Sequence, residues 1–378
     1  MKFLYLDHAA TSPLRESVWD AMRIAEDLGY GNPAGSHTLS RNAKNIIEES
    51  REVIAKSVGA IPSEIIFTSG GTESDNWCLK VPFYNKYPTR QDLVTSSIEH
   101  EAVLNSAEWV EGNGFSVEYV RPSNNGKVQV NEFCKKIQDS TSVASLMWGN
   151  NETGVIQPIH EIGKKLNSNN DLIFHSDVVQ GYVSKKIDFY KANVKSGAIS
   201  AHKVGGPKGI GAMFLHSEYK LSSFFHGGKQ ELDRRAGTVN VMGVAGFAAA
   251  VREQQHRFDD EVDAMLNERN RLEEILSQEE GIVIIGKDEE RLPHISNIQF
   301  NGNNSENLLV YLDLEGVGVS RGSACASGAQ KPSHVLISMG IDKVSAESHL
   351  RISFGWSTKK GDGEKGAKKI LEAVKETR

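Results

Sequence analysis

Lys203 follows Ser200-Ala201-His202 and precedes a glycine-rich turn, Gly205-Gly206-Pro207-Lys208-Gly209. A lysine held in a closed site loses its proton and can form a Schiff base with an aldehyde. Most lysines are instead solvated, and that reading stays open for Lys203 alone. Upstream, His175-Ser176-Asp177 follows the apolar run Leu172-Ile173-Phe174, which puts Asp177 near the carboxyl end of a buried strand. A carboxylate there needs a cation or hydrogen bonds to stay charged. Ser69-Gly70-Gly71-Thr72 joins a strand-like run to a helix-like one, where free amides and the helix dipole hold a phosphate. A Gly-Gly pair also makes a plain tight turn. Neither glycine segment has the spacing of a dinucleotide fingerprint or a P-loop. Phosphate cradle, strand-end carboxylate and amine together suggest pyridoxal phosphate.

Three cysteines occur, Cys78, Cys134 and Cys325, too few and too scattered for a disulfide framework or a CxxC metal site. Cys134 shares the stripe Val130, Phe133, Ile137, and Cys78 sits beside Trp77, so both read as core residues. Cys325 lies in Gly322-Ser323-Ala324-Cys325-Ala326-Ser327-Gly328 with Arg321 nearby, a setting that suits an exposed thiolate as well as a small buried thiol. His100 ends Ile98-Glu99-His100 at a strand-to-helix junction, where it could stack on a flat cofactor, move protons or simply start a helix. Arg351, flanked by strand formers, suits a bidentate grip on a carboxylate. The twelve histidines show no HExxH and no close ligand cluster, so no metal is expected.

The elements that must position these groups alternate. An amphipathic helix over residues 41–60 precedes a strand at 65–68; strands are expected at 92–98, 143–148, 172–174 and 212–215, with helices between them. That alternation predicts an α/β fold with a mainly parallel sheet covered on both faces. A charged helix over 259–276 opens a second, smaller α/β unit with strands at 282–285, 295–300 and 350–354 and helices at 306–312 and 360–374. The 378 residues, net charge −6 and 39% hydrophobic content fit two or three folded domains and lack the basic footprint of a nucleic-acid binder. The longest apolar run, 241–251, is too short for a membrane span, which takes about 20 residues. A cytoplasmic protein is expected, with no membrane partner.

Many segments, from Tyr5-Leu6-Asp7 to Arg351-Ile352-Ser353-Phe354-Gly355, match one pattern. They include Asn32-Pro33 with His37, Phe67-Thr68-Ser69-Gly70-Gly71-Thr72-Glu73-Ser74-Asp75-Asn76, Asn150-Asn151-Glu152-Thr153-Gly154, Arg235-Ala236-Gly237-Thr238-Val239-Asn240 and Gly322-Ser323-Ala324-Cys325. In order and spacing the chain resembles the cysteine desulfurases of the NifS/IscS type, within the class V aminotransferases of fold-type I pyridoxal phosphate enzymes. The resemblance implies a large cofactor domain over residues 16–250 built on a seven-stranded sheet. Residues 1–15 and 251–378 would form a small domain carrying the cysteine loop. It implies that Lys203 holds the cofactor, Asp177 pairs with the ring nitrogen, His100 stacks on the ring, and Asn151 and Gln180 lie near the ring hydroxyl. Gly71, Thr72, Ser200 and His202 would bind the phosphate, with Thr238 reaching in from the second subunit of a homodimer. Arg351 and Asn151 would hold the carboxylate of L-cysteine, and Cys325 would take its sulfur as a persulfide, leaving alanine. The acceptor would be a protein of iron–sulfur cluster assembly, tRNA thiolation or thio-cofactor synthesis.

Asp7-His8-Ala9-Ala10, Ser40, Val183 and Gly205 depart from the usual family residues without removing a catalytic group. Two alternatives remain: another class V aminotransferase or lyase, because the cofactor site alone does not choose the reaction, and a sulfur-delivery scaffold with weak turnover of its own.

Overall fold

The computed structural model describes residues 3–84, 91–167, 169, 171–322 and 332–377. Twelve strands occur among them: β1 (Leu4–Tyr5), β2 (Ile65–Thr68), β3 (Asp92–Ser96), β4 (Ser116–Val120), β5 (Thr141–Ser145), β6 (Ile173–Asp177), β7 (Ser196–Ser200), β8 (Gly211–Leu215), β9 (Ile282–Ile284), β10 (Ile295–Phe300), β11 (Val317–Gly318) and β12 (His349–Ser353). Seven form the main sheet in the order β2-β8-β7-β6-β5-β3-β4. β4, β3, β5, β6 and β7 are parallel neighbours, and β8 runs against both β7 and β2. The expected mainly parallel, seven-stranded sheet is therefore present, with one reversed strand. Because β2 and β7 both oppose β8, the carboxyl ends of β2, β3, β5, β6 and β7 meet along one edge.

Adjacent residues of each strand serve opposite faces, as the pleat requires. Val94, Ala144, Phe174 and Phe214 join one apolar cluster, with residues of the helices Glu16–Gly29, Thr38–Ser57 and Val241–His256. Leu93, Val143, Ile173 and Met213 join another, with Trp77, Cys78, Val103 and Ala107 of the helices Gly71–Tyr84 and Glu101–Gly112. The apolar run at 241–251 is thus a core helix, and no helix among the described residues is long and apolar enough to cross a membrane.

Three expectations need adjustment. The strand expected at 143–148 spans Thr141–Ser145, although Leu146 N and Trp148 N go on donating to His175 O and Asp177 O at 3.1 and 2.9 Å. The strand expected at 92–98 ends at Ser96, where the chain turns toward His100. Cys134 is only half-buried, although with Val130 and Ile137 it packs against the main apolar cluster that contains Phe133.

β10 pairs antiparallel with β9 and β12, and β1 lies parallel to β11. With the helices Phe258–Leu276, Ser305–Leu314 and Asp362–Glu376 they enclose a separate cluster that includes Met265, Leu272, Ile298, Phe300, Leu350 and Ile370. Leu6, from the N-terminal segment, belongs to it, whereas Val335, Leu336 and Ala346 pack into the main cluster.

Candidate active site

A cavity of about 310 Å³ opens where the parallel strands end. This is the edge at which α/β sheets bind ligands. It gathers Gly71 and Thr72 from the turn after β2, His100 from the turn after β3, Asn151 beyond β5, Asp177 and Gln180 at the end of β6, Ser200, His202 and Lys203 at the end of β7, and Arg351 from β12. Thr238 does not line it; the residue is exposed, two positions before the helix cap Asn240. Cys325 lies outside the described residues. Gly322 and His334, on either side of that segment, both face the cavity.

Lys203 sits on a short 3-10 turn, Ala201–Val204, that Gly205 ends at a φ of 83°. A Cβ at Gly205 would fall 2.7 Å from Trp356 Nε1 and 2.8 Å from Arg15 Cγ, so a bulkier residue is excluded on space as well as backbone. Lys203 Nζ donates to Ala9 O at 2.7 Å and Ala10 O at 2.8 Å. Burial, then the charge of Arg351, lowers its pKa to about 8, with Asp177 and Asp7 pulling the other way. The amine is therefore within reach of its free, nucleophilic form near neutral pH.

Asp177 is the last residue of β6 and accepts Val179 N at Oδ1, 2.9 Å. Two residues back on the same face, His175 meets Asp75 Oδ1 at 3.1 Å and Ser196 Oγ at 3.1 Å. Burial, with the charge of Asp177 added, pushes Asp75 well above the usual carboxylate range. Glu99 is pushed up to about 8, chiefly by burial; its Oε1 accepts Ser96 Oγ and Met147 N, and its Oε2 has no partner among the described residues. Two of the acids beneath the cavity are thus held toward their neutral forms. His202 is lowered to about 4 by burial and then by Lys203 and Lys208, which keeps a neutral imidazole beside the cradle. Its Nδ1 is 3.1 Å from Thr11 Oγ1.

His100 caps the helix Glu101–Gly112, with Nδ1 accepting Ala102 N at 3.1 Å. That bond assigns its proton to Nε2. The helix-start reading and the cavity-facing reading of His100 hold together. Gln180 is fixed at both ends, donating to Ala9 O at 2.9 Å and lying 3.2 Å from His294 Nε2. Arg351 is buried; its Nη1 donates to Asn151 O at 2.9 Å and its Nη2 to Asp7 Oδ1 at 2.9 Å. The fork expected to grip a carboxylate is therefore already engaged, and binding a second carboxylate means sharing or displacing Asp7. Arg351 Nε and Asn151 Oδ1 are buried with no partner among the described residues. An unpaired buried donor and acceptor at one cavity wall are costly unless a ligand completes them.

The residues present fit pyridoxal phosphate. Gly71 and Thr72 begin the helix Gly71–Tyr84, whose first amides have no intrahelical acceptor. A Cβ at Gly71 would press on Val179 Cγ2 at 2.8 Å, so the glycine lets the backbone close tightly around an anion. The amine, the strand-end carboxylate and the orphaned Asn151 oxygen lie around the same cavity.

Three participating groups had no role in the sequence reading. Glu73 accepts Ser69 N at 2.7 Å and a two-pronged bond from Arg235. Glu152, fully buried, accepts Ser333 Oγ through Oε2 and leaves Oε1 unpaired among the described residues. Glu99 carries a raised pKa. Ser69 and Ser96 are local partners, but Arg235, Met147 and Ser333 come from remote parts of the chain and leave no local signature.

Residues 4–364 match the family described as aminotransferase class-V. A protein of Methanosarcina thermophila named cysteine desulfurase IscS is 37% identical over 377 residues, covering 100% of this chain and 93% of that one. One of the same name from Dictyoglomus turgidum is 38% identical over 362 residues, covering 95% and 91%. A solved structure described as a NifS-like protein superposes with a TM-score of 0.92 at 32% identity, covering 99% of each chain. With a family match that spans nearly the whole chain and relatives aligned end to end, the chain belongs to the class V aminotransferases, in their branch of IscS- and NifS-like cysteine desulfurases.

Proposed function

We propose that the protein is a pyridoxal phosphate-dependent cysteine desulfurase that converts L-cysteine to L-alanine and retains the sulfur on Cys325. The observation that carries this reading is the convergence of Lys203, Asp177, His100 and Arg351 on one cavity, in a chain related end to end to cysteine desulfurases.

When bound, the cofactor supplies an electron sink for the amino acid's α-carbon. Lys203 would hold it, and its amine, with a depressed pKa, would move a proton at the amino acid's α-carbon. Asp177 would orient and charge the ring nitrogen; burial pushes the carboxyls of Asp75 and Glu99 upward, which favours their uncharged forms beneath it. His100, with its proton on Nε2, would cover the ring and donate there. Gly71, Thr72, Ser200 and the neutral His202 hold the phosphate, with Thr238 supplied by a second subunit. Arg351 and Asn151 fix the substrate carboxylate, and Gln180, held between Ala9 and His294, forms a rigid wall near the ring hydroxyl. Cys325 attacks the substrate sulfur as a thiolate: an S–S bond forms, the C–S bond breaks, and the three-carbon remainder leaves as alanine after protonation.

The persulfide then passes to an acceptor protein serving iron–sulfur cluster assembly, tRNA thiolation or thio-cofactor synthesis. We assign the protein to the cytoplasm as a homodimer, with residues 16–250 as the cofactor domain and residues 1–15 with 251–378 as the small domain. The grouping of Leu6 with the C-terminal cluster supports that division, while Val335, Leu336 and Ala346 pack across it into the main cluster.

Borohydride treatment of protein loaded with pyridoxal phosphate tests the assignment. The cofactor is expected to become fixed to the peptide containing Lys203, and Lys203→Ala is expected to carry none. No uptake, or fixation at another lysine, would contradict it.

A further inference from the structure

Glu73 is the third residue of the helix whose first turn forms the phosphate cradle, and its carboxylate takes the amide of Ser69 at 2.7 Å. That bond shapes the cradle. It also sets a full negative charge next to Gly71 and Thr72, where an anionic ligand must compete for the same helix dipole. Arg235 answers that charge from a segment 162 residues further on, donating from Nε to Oε1 at 2.9 Å and from Nη2 to Oε2 at 3.1 Å. The pair is sheltered, with the side chains of Arg235 and Glu73 21% and 5% exposed, so solvent screens it little. The ring of Phe225 lies 5.4 Å from the guanidinium and holds it from the other side. Burial opposes ionisation of Glu73, but the bonds from Arg235 and Ser69 outweigh it and hold the carboxyl below its usual range. Glu73 is therefore charged, and Arg235 is the cation that offsets it.

We infer that Arg235 is a positioning residue of the phosphate cradle: by neutralising Glu73 in a fixed two-pronged pair, it lets the helix start at Gly71 accept a phosphate dianion while Glu73 keeps shaping the turn. This rests on the cofactor reading above. Arg235 also stands three residues before Thr238, so the same pair ties that segment to the cradle of its own subunit. A specificity follows: the pair acts at the phosphate end of the cofactor and not at its ring.

Dissociation constants of pyridoxal phosphate and of phosphate-free pyridoxal, measured on the apoprotein by absorbance titration, test the inference. For Arg235→Gln, pyridoxal phosphate is expected to bind about tenfold more weakly, which corresponds to about 1.4 kcal/mol. Pyridoxal is expected to change less than about twofold. Arg235→Lys, which keeps the charge, should recover most of the loss. So should the double variant Glu73→Gln with Arg235→Gln, in which no carboxylate remains to be neutralised. Equal weakening of both ligands would mark a merely structural role and overturn the inference, as would a double variant no better than Arg235→Gln. Wild-type protein that binds neither ligand would overturn the cofactor reading and this inference together.

Discussion

In the proposed role Lys203 is protonated at one moment and free at the next, and its surroundings favour such a change. Burial removes the solvent that favours the ammonium form, and Arg351 adds a like charge, so the pKa falls from 10.5 to about 8. Only the free amine attacks an aldehyde, so the rate at which apoprotein takes up pyridoxal phosphate should rise with pH through a midpoint near 8. Arg351→Met, which removes the like charge, should move that midpoint upward. Stopped-flow absorbance between pH 6 and about 10 measures both, and a midpoint near 10.5 in the wild type would contradict the assignment. Much of this was legible in the sequence: Asp177 after an apolar run and Lys203 before a glycine turn announce their positions. Glu73 and Glu99 were not legible in the same way. Their states depend on Arg235, on Met147 and on an interior that no local pattern displays.

At the scale of elements, Arg15 is the joint that keeps Lys203 in place. It is buried and donates to Val204 O at 2.8 Å, directly after Lys203, while its Nη1 and Nη2 bind Glu261 of the helix Phe258–Leu276 at 2.7 and 2.8 Å. Arg15 also pairs with Glu253 at 3.1 Å, and without Arg15 the buried Glu261 keeps only a 4.0 Å contact with Arg257, a loss of up to about 3–5 kcal/mol. Arg15→Ala is therefore expected to lower stability by that order, and Arg15→Met with Glu261→Leu to recover most of it, as read by urea denaturation. An Arg15→Ala protein as stable as the wild type would contradict the joint. The elements that escaped the sequence reading have physical reasons. β7, Ser196–Ser200, is poor in strand formers, and Gly197 is required because the Phe189 ring lies against its backbone. β4 is an edge strand whose alternating exposure dilutes its apolar signal. β8 was visible as a strand, but its reversed direction is a property of its neighbours and not of its residues.

Over the whole molecule, a cofactor sheet and a second apolar cluster meet at one cavity, with Arg351 reaching in from the C-terminal part. Thr238 is exposed and does not line the cavity of its own chain, which suits a residue that acts on a neighbouring subunit. Sedimentation at micromolar concentration is expected to give about twice the chain mass of 41.5 kDa. A monomer that binds pyridoxal phosphate as tightly as a dimer would contradict the role given to Thr238. The central claim is that Cys325 collects sulfur from L-cysteine, and one experiment meets it directly: a single turnover of loaded protein with cysteine carrying labelled sulfur, followed by peptide mapping and alanine quantification. Label on the Cys325 peptide, releasable by dithiothreitol, with matching alanine, is the expected result, and Cys325→Ala should yield neither. Alanine formed equally well by Cys325→Ala would contradict the account.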